Sequence, residues 1–442
     1  MPEAVAKPRI LFVAHSHPEI HPGGSESYAL QVYEGVRDAG EFEPIFVARS
    51  GPPFSIASRQ HEGRPLTLVN DDPNQYLFYT DATGHDWLYG RSPHKSALTR
   101  FFREFLLDQK PDIVHVQHTM FLGFDILRVI RNTLPDVPIV FTLQDHILIC
   151  NRDGQMVRTR TNELCHEASP RRCHECFPDI SHQTFFMRER FLKSQLSVVD
   201  LFVTPSASAL ERYVHWGVPR ERIAHEPHGL PAAQPLPDTG AASKPNRFGF
   251  FGQFTEYKGA DVLLDAMALL GDEFDARLWI HGANLHDASE DFQQQFGEMI
   301  ADASTNVTLV GQYGQSDLPK LMQRIDWVVV PSMTHETGPL TLLEAFQYGR
   351  PVICSDIGGM AEKVTHGVNG LHFRRGDAHS LAAAMRRAAG TPGLWKKLRS
   401  GIPHVQTTPE HVACLSRHYR ALLDRRPADI PGTGSVEVLE HV

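Results

Sequence analysis

One stretch of the chain restricts the possible folds more than any other: residues 331–362, together with the apolar run that precedes them. That run, Trp327–Val330, has the length and the β-branched content of a buried strand. Pro339 suits the first turn of a following helix, where a missing N–H costs nothing, and Gly349 suits its end. Residues 352–354 are a second short apolar run. We therefore predict a strand–helix–strand unit of a parallel sheet.

Two carboxylates belong to this unit, with seven residues between them. Glu336 lies in the loop before the predicted helix, and Glu344 lies in its second turn, on the same face as Leu340. A helix N-terminus offers unpaired N–H groups and partial positive charge, so it suits a phosphate, whereas carboxylates accept hydrogen bonds from hydroxyls. Together these features predict a ligand such as a sugar joined to a nucleoside diphosphate. The alternative is a capping Glu336 and a solvated Glu344.

A glycine-containing loop follows the first predicted strand, residues 9–14. Its glycines, Gly23 and Gly24, allow a backbone to approach a phosphate closely. A helix is expected to begin after them, with Ser25 as its N-cap. This loop is a candidate phosphate-binding element, although strand–loop–helix turns of this kind occur in every doubly wound fold.

Two polar side chains follow later predicted strands of the same half. His118 comes at the end of the strand at residues 112–117, and Asp145 follows the strand at residues 138–143. Doubly wound folds keep their sites at the carboxyl ends of strands, so both side chains are candidates for a site. A structural histidine with its hydrogen bonds satisfied is the alternative for His118.

A chain of 442 residues is long for one domain. Predicted strands alternate with predicted helices along most of it, which indicates parallel sheets, and a Pro- and Ala-rich tract interrupts the alternation. We predict two Rossmann-like, doubly wound α/β domains. The predicted parts are residues 1–228, a linker at 229–246, residues 247–408, a terminal helix at 409–425 and a tail at 426–442.

Four of the six cysteines, Cys150, Cys165, Cys173 and Cys176, fall within 27 residues. They mark a Cys-rich insertion at about residues 150–176 of the first predicted domain. Four thiolates in one region suit a tetrahedral structural Zn²⁺ site, and an iron–sulfur cluster would use the same ligands. Free thiols are the third interpretation. Disulfides are not expected in a cytosolic protein.

Charge and hydropathy exclude other classes. A formal charge of −9 and a pI near 6.3 argue against a nucleic-acid-binding protein. The apolar run at residues 10–14 is too short for a signal-peptide core, and no run approaches membrane-spanning length. We therefore expect a cytoplasmic protein. Aromatic and basic side chains at residues 182–196 leave two interpretations open, a core-facing helix and an interfacial helix on the inner membrane face.

The strand, the E-x7-E pair and the helix, followed by Gly349-x-Pro-Val-Ile and by Gly-Gly-x-x-Glu ending at Glu362, resemble the donor site of glycosyltransferase family 4. The resemblance extends over nearly the whole chain. It implies a GT-B fold, in which two doubly wound domains face a cleft and the last helix crosses back onto the first domain. It also implies a retaining enzyme that uses a nucleotide-sugar donor and needs no cofactor for catalysis.

The resemblance also implies roles for single residues. His118, Glu336 and Lys258 would act in catalysis, and Asp145 would lie on the acceptor side. Gln253 stands where the family usually has an arginine, so Lys258 alone would supply the cation at the diphosphate. The implied donor-binding residues are Gly23, Gly24, Gln253, Lys258, Gln312, Tyr313, Glu336, Gly338, Pro339, Leu340 and Glu344.

Two other functions stay open at this point. A nucleotide-sugar epimerase on the same fold would consume a donor without an acceptor, and the E-x7-E spacing speaks against it. A catalytically decayed scaffold that holds a metal at its cysteines is favoured by Gln253. For a transferase, the acceptor classes that stay open are a saccharide, a lipid-linked glycan and a small metabolite.

Overall fold

The computed structural model describes most of the chain. The predicted tail at residues 426–442 and residues 237–244 of the predicted linker lie outside the described part. The described residues are 6–21, 23–52, 66–69, 72–92, 95–234, 236, 245–271, 274–283, 285, 288–303 and 306–424.

Eight of the described strands form the first sheet. They are β1 (Arg9–Ala14), β2 (Glu43–Ser50), β3 (Leu66–Val69), β4 (Asp72–Tyr79), β5 (Ile113–Val116), β6 (Ile139–Thr142), β7 (Leu201–Thr204) and β8 (Ile223–His225). Their order is β3–β4–β2–β1–β5–β6–β7–β8, and only the edge pair β3–β4 is antiparallel. The central strands are buried on both faces, which explains their continuous apolar sequences.

The second sheet contains six described strands, all parallel. They are β9 (Arg247–Gln253), β10 (Arg277–Ala283), β11 (Val307–Gly311), β12 (Trp327–Val330), β13 (Val352–Ser355) and β14 (Gly370–Phe373). Their order is β11–β10–β9–β12–β13–β14. The two doubly wound α/β domains predicted from the sequence are therefore confirmed.

Helices cover both sheets. They are α1 (Gly24–Ala39), α2 (Lys95–Gln109), α3 (Ile126–Thr133), α4 (Pro170–Cys176), α5 (His182–Leu196), α6 (Ala207–Trp216), α7 (Ala260–Leu270), α8 (Glu290–Ala301), α9 (Leu318–Arg324), α10 (Leu340–Gln347), α11 (Gly358–Lys363), α12 (Ala378–Gly390), α13 (Leu394–Ser400) and α14 (Thr408–Leu423). The predicted N-cap of the first helix is wrong. Gly23 has the extended backbone of an N-cap, and Ser25 already lies inside the helix.

The last described helix, α14, packs beside α1 on the first sheet. Its apolar residues Val412 and Leu415 share one core with Phe12 of β1. Its Tyr419 hydroxyl lies 2.7 Å from Nδ1 of His115, which is fully buried in β5. Burial lowers the pKa of His115 to about 3, so it is a neutral core residue, and the terminal helix is anchored to the first domain through it.

The order of the strands fixes where a ligand can bind. In the first sheet, successive strands extend to one side of β1 and then, from β5 onward, to the other. The second sheet has the same reversal between β9 and β12. Loops that leave the carboxyl ends of such neighbouring strands diverge, and the crevice between them accepts ligands.

The two domains contact each other beside these crevices. The Glu362 carboxylate on α11 accepts hydrogen bonds from the backbone N–H groups of Ala207 and Ser208, at 3.0 and 2.8 Å, at the start of α6. An anion is favoured at this end of a helix. Gly338 lies so close to the first domain that a Cβ there would stand 2.8 Å from Pro205. Only glycine permits this approach.

Candidate active site

A cavity of about 430 Å³ lies between the two domains at these crevices. The start of α1 lines it from the first domain, and the loops after β9, β11 and β12 line it from the second. The structure brings together here all the donor-binding residues that the sequence resemblance implied. They are Gly23, Gly24, Gln253, Lys258, Gln312, Tyr313, Glu336, Gly338, Pro339, Leu340 and Glu344.

Lys258 and Glu336 form an ion pair in this cavity, with 2.6 Å between Nζ and Oε1. The Ser332 hydroxyl donates to the same oxygen at 2.9 Å. Burial alone would raise the pKa of Glu336, but the Lys258 ammonium and these hydrogen bonds hold it below its ordinary value. The Lys258 side chain is 39% exposed, so a ligand can reach it. The pair therefore presents an ionised carboxylate beside an accessible cation.

Glu344 has a different environment. It is 6% exposed and accepts a hydrogen bond from the Gln315 amide at 3.0 Å. Burial raises its pKa above the ordinary value, and the bond from Gln315 opposes this only in part. Sequence reasoning missed Gln315. The available signal was its position in the loop after β11, close to Gln312 and Tyr313.

The N-terminus of α10 faces the cavity. Pro339 is its N-cap and has no N–H, and the first N–H groups of any helix have no partner within the helix. Gly24 of the first domain approaches from the opposite side, since a Cβ there would stand 3.7 Å from the side chain of Leu340. A phosphate between them would meet backbone N–H groups, the helix dipole and Lys258.

Aromatic rings line the other end of the cavity. Phe251 stacks on His281, with ring centroids 4.7 Å apart and planes 7° apart. Tyr313 meets the Phe251 ring edge-on, with centroids 5.5 Å apart. Phe251, Gln312 and Tyr313 line the cavity, so a planar ring such as a nucleobase would find apolar faces and a polar amide at this end.

His118 and Asp145 line a second cavity, of about 610 Å³, which adjoins the first at Gly23, Gly24 and Gln253. The His118 Nε2 lies 2.8 Å from Asp145 Oδ2, and its Nδ1 accepts from the Met120 N–H at 3.1 Å. Burial favours neutral imidazole, but Asp145 raises the pKa of His118 above its ordinary value.

A second histidine–carboxylate pair lies next to this one. The His15 Nε2 is 2.9 Å from Glu26 Oε1, and both side chains are 5% exposed. The His15 and His118 ring centroids are 4.5 Å apart. Burial and the neighbouring His118 lower the pKa of His15 below its ordinary value. Sequence reasoning did not select His15 or Glu26, although His15 directly follows β1 at the crevice.

The four clustered cysteines are free thiols, and two of them, Cys150 and Cys165, pack against the core of the first sheet. Burial raises the pKa of Cys173 to about 12, and the thiols of Cys150, Cys165 and Cys176 are near enough to contribute. Across the described residues, no group of three or more His, Cys, Asp and Glu side chains is arranged to hold a metal ion. The Zn²⁺ or iron–sulfur site therefore stays a prediction.

Two doubly wound domains that share a cleft lined by a cation, a helix N-terminus and two glutamates define the GT-B class of glycosyltransferase folds. Comparison with known protein families identifies the family within this class. Residues 22–234 match the model described as Glycosyltransferase Family 4, and residues 245–390 match the model described as Glycosyl transferases group 1. The chain belongs to glycosyltransferase family 4.

Curated relatives agree with this. An uncharacterised glycosyltransferase of Methanocaldococcus jannaschii is 32% identical over 33% of this chain, and an amylovoran biosynthesis glycosyltransferase of Erwinia amylovora is 29% identical over 40%. The chain spans 36% and 44% of the lengths of these two relatives. Glycogen synthase of Mycobacterium tuberculosis is 24% identical over 87% of this chain and 86% of its own.

Solved structures share the fold. Sucrose-phosphate synthase of Thermosynechococcus elongatus has a TM-score of 0.68 and 18% identity, with 94% of this chain and 99% of that chain covered. HepE of Anabaena in complex with UDP-glucose has a TM-score of 0.63 and 17% identity, with the same coverage. Separately, none of the helices that the structure describes is long and apolar enough to cross a bilayer.

Proposed function

We propose that this protein transfers a sugar from a nucleoside-diphosphate sugar to an acceptor hydroxyl, with retention of configuration at the anomeric carbon. The observation that carries the proposal is the Lys258–Glu336 ion pair, which lies beside the N-terminus of α10 in a cavity closed by the glycine loop of the other domain. A cation and unpaired N–H groups match a diphosphate, and ionised Glu336 matches hydroxyls.

In the proposed donor complex, each end of the ligand meets a different part of the cavity. The base lies against Phe251 and Tyr313, and the ribose hydroxyls donate to Glu344. The diphosphate lies between Lys258 and the N-terminus of α10, which faces the first-domain glycines. The sugar then extends toward Glu336, which lines the first cavity together with Gln253, a residue that the two cavities share. The sets of residues that line the two cavities support this order.

The proposed chemistry breaks the bond between the anomeric carbon and the diphosphate oxygen while an acceptor oxygen bonds to the same face of that carbon. The departing phosphate oxygen takes the acceptor proton. Lys258 and the α10 N–H groups stabilise the charge that develops on the diphosphate, and they are in place before the reaction begins. Glu336 stabilises positive charge on the sugar ring, and His118 lies where the acceptor approaches.

The wider setting is also proposed. Because HepE binds UDP-glucose, UDP-sugars are the first donors to test. We propose a cytoplasmic protein that can act at the inner membrane face. Exposed Phe186 and Met187 on α5, 49% and 56% exposed, would supply the membrane contact there. We also propose a structural zinc ion at the four cysteines, with an iron–sulfur cluster as the alternative.

Thermal shift with UDP-, GDP- and ADP-sugars tests the proposed function. A donor at about 100 times its dissociation constant should stabilise the protein by about 2.7 kcal/mol. Lys258→Ala should lose this shift, whereas the control Lys396→Ala, at an exposed position of α13, should keep it. If no nucleotide sugar stabilises the wild-type protein, the donor site is a decayed one. If a donor is consumed without an acceptor and its sugar emerges epimerised, the protein is an epimerase.

A further inference from the structure

The second cavity contains one exposed aromatic side chain, Trp87. Its indole is 53% exposed, although it is held edge-on by two buried rings. The His85 centroid lies 5.0 Å from that of Trp87, and the Phe121 centroid lies 5.3 Å away. The Arg49 guanidinium in turn lies over Phe121, 5.0 Å from its centroid. Trp87 is therefore positioned by a packed layer beneath it while much of its surface faces solvent.

A single exposed tryptophan needs no functional explanation by itself. Here, however, Trp87 lines the same cavity as His118 and Asp145, and that cavity opens onto the donor site at Gly23 and Gln253. The apolar surface of Trp87 and the polar side chains of His118 and Asp145 thus line one cavity, which ends where the donor sugar is expected. Pyranose rings present an apolar C–H face and a rim of hydroxyls, which is the same combination.

The charge of the cavity limits what can enter. Its described lining contains three carboxylates, Glu26, Asp145 and Asp153, and no lysine or arginine. Three histidines also line it, and two of them, His15 and His118, pair with Glu26 and Asp145. The Asp145 side chain is 41% exposed, so its oxygens can accept further hydrogen bonds. Burial raises the pKa of Asp153, and the positive charge of Arg152 opposes this rise. The Arg152 guanidinium donates hydrogen bonds to the carbonyls of Val157 and Arg158. Carboxylates repel an anionic ligand and accept hydrogen bonds from hydroxyls.

We propose that this cavity is the acceptor subsite and that the acceptor is an uncharged saccharide, with one pyranose face on Trp87 and hydroxyls on Asp145 and Asp153. This inference rests on the proposed transferase function. It excludes acceptors whose recognition depends on a phosphate or carboxylate group. The saccharide unit can be free or can be the end of a lipid-linked glycan, because the proposed contacts involve only the sugar and not a lipid carrier.

The test measures transfer from the donor found by thermal shift to a panel of neutral oligosaccharides, glucose 6-phosphate, myo-inositol 1-phosphate and glucuronic acid. We expect transfer to neutral saccharides. Trp87→Ala should raise the acceptor KM about tenfold, equivalent to about 1.4 kcal/mol, and should change the donor dissociation constant far less. Trp87→Phe keeps an aromatic face, so its acceptor KM should lie between those of the wild type and Trp87→Ala. Leu107→Ala, at an exposed apolar position of α2 outside the cavity lining, is the control.

Each outcome decides the question. Two results overturn the saccharide assignment: transfer only to phosphorylated or carboxylated acceptors, or an acceptor KM that is equal in Trp87→Ala and wild type. In both cases the transferase function still stands, because the donor is turned over. Failure to bind any nucleotide sugar overturns the transferase function instead. Repeating the assay with the preferred saccharide attached to a polyprenyl carrier in detergent assigns the source. Transfer to the carrier-bound form alone supports the subsite and identifies a lipid-linked glycan.

Discussion

Removing the Lys258 cation should affect both the leaving diphosphate and Glu336. A charge-assisted hydrogen bond is worth about 1.5–3 kcal/mol, so Lys258→Ala should lower kcat by roughly ten- to a hundredfold. Because the Lys258 side chain is 39% exposed, solvent screening favours the lower half of that range. Lys258→Arg keeps the positive charge, so its kcat should fall less than that of Lys258→Ala.

The second effect is a shift in pH dependence. In the wild-type protein, Lys258 holds the pKa of Glu336 below its ordinary value. Without Lys258, burial dominates and the pKa of Glu336 rises. The acid limb of the kcat profile, which reports loss of the Glu336 carboxylate, should therefore move to higher pH in Lys258→Ala.

The assay is the initial rate of nucleoside diphosphate release between about pH 4 and pH 9, a range that spans the ordinary glutamate pKa of about 4.3. Glu336→Gln identifies the limb, since a glutamine cannot titrate. Lys396→Ala controls for the general loss of a lysine. An unchanged kcat together with an unmoved acid limb would show that the ion pair does not act on the reacting groups.

The remaining predictions concern other parts of the site. Glu336→Gln should lower kcat more than it weakens binding of free nucleoside diphosphate, whereas Glu344→Gln should mainly raise the donor KM. Kinetics and calorimetry separate the two, and equal effects would contradict this division. Asp145→Asn should destabilise the protein most between about pH 4 and 6.5. The raised pKa of His118 adds stability that is lost as pH rises through it, and the lowered pKa of Asp145 adds stability that is lost in acid. Denaturant unfolding across this range checks the sign, and a pH-independent difference would refute it. Reduced protein should carry about one zinc ion per chain, and Cys173→Ser should lower stability more than donor affinity. Metal analysis that finds none, with four alkylatable thiols, rejects the zinc site.

The sequence was sufficient to predict the architecture and the residues that line the first cavity. Alternation of apolar strands with amphipathic helices permits few folds other than parallel sheets, and such sheets bring the loops after particular strands together. Lys258, Tyr313 and Glu336 follow three different strands, yet they line one cavity. The resemblance to family 4 selected these residues, and their positions after strand ends explain why they come together.

Features that depend on the relative orientation of two elements were not predictable. Glu26 reaches His15 only because α1 returns across the end of β1, and nothing in the local pattern states that angle. Trp87 lies in a segment without a clear hydrophobic period, so its exposure on a cavity wall could not be read from its neighbours. Ser25 has the side chain of an N-cap, but the extended backbone fell two residues earlier, on Gly23.

The bond from Glu362 to the start of α6 has a consequence for the loop that carries Glu336. The Glu362 side chain is 25% exposed, so water can replace both backbone donors when this bond breaks. The same helix, α11, begins at Gly358 and Gly359, where the Gly359 N–H donates to the Glu336 carbonyl at 2.8 Å. One short helix thus joins the first domain to the loop that carries Glu336, so a shift at the contact between the domains would displace that loop.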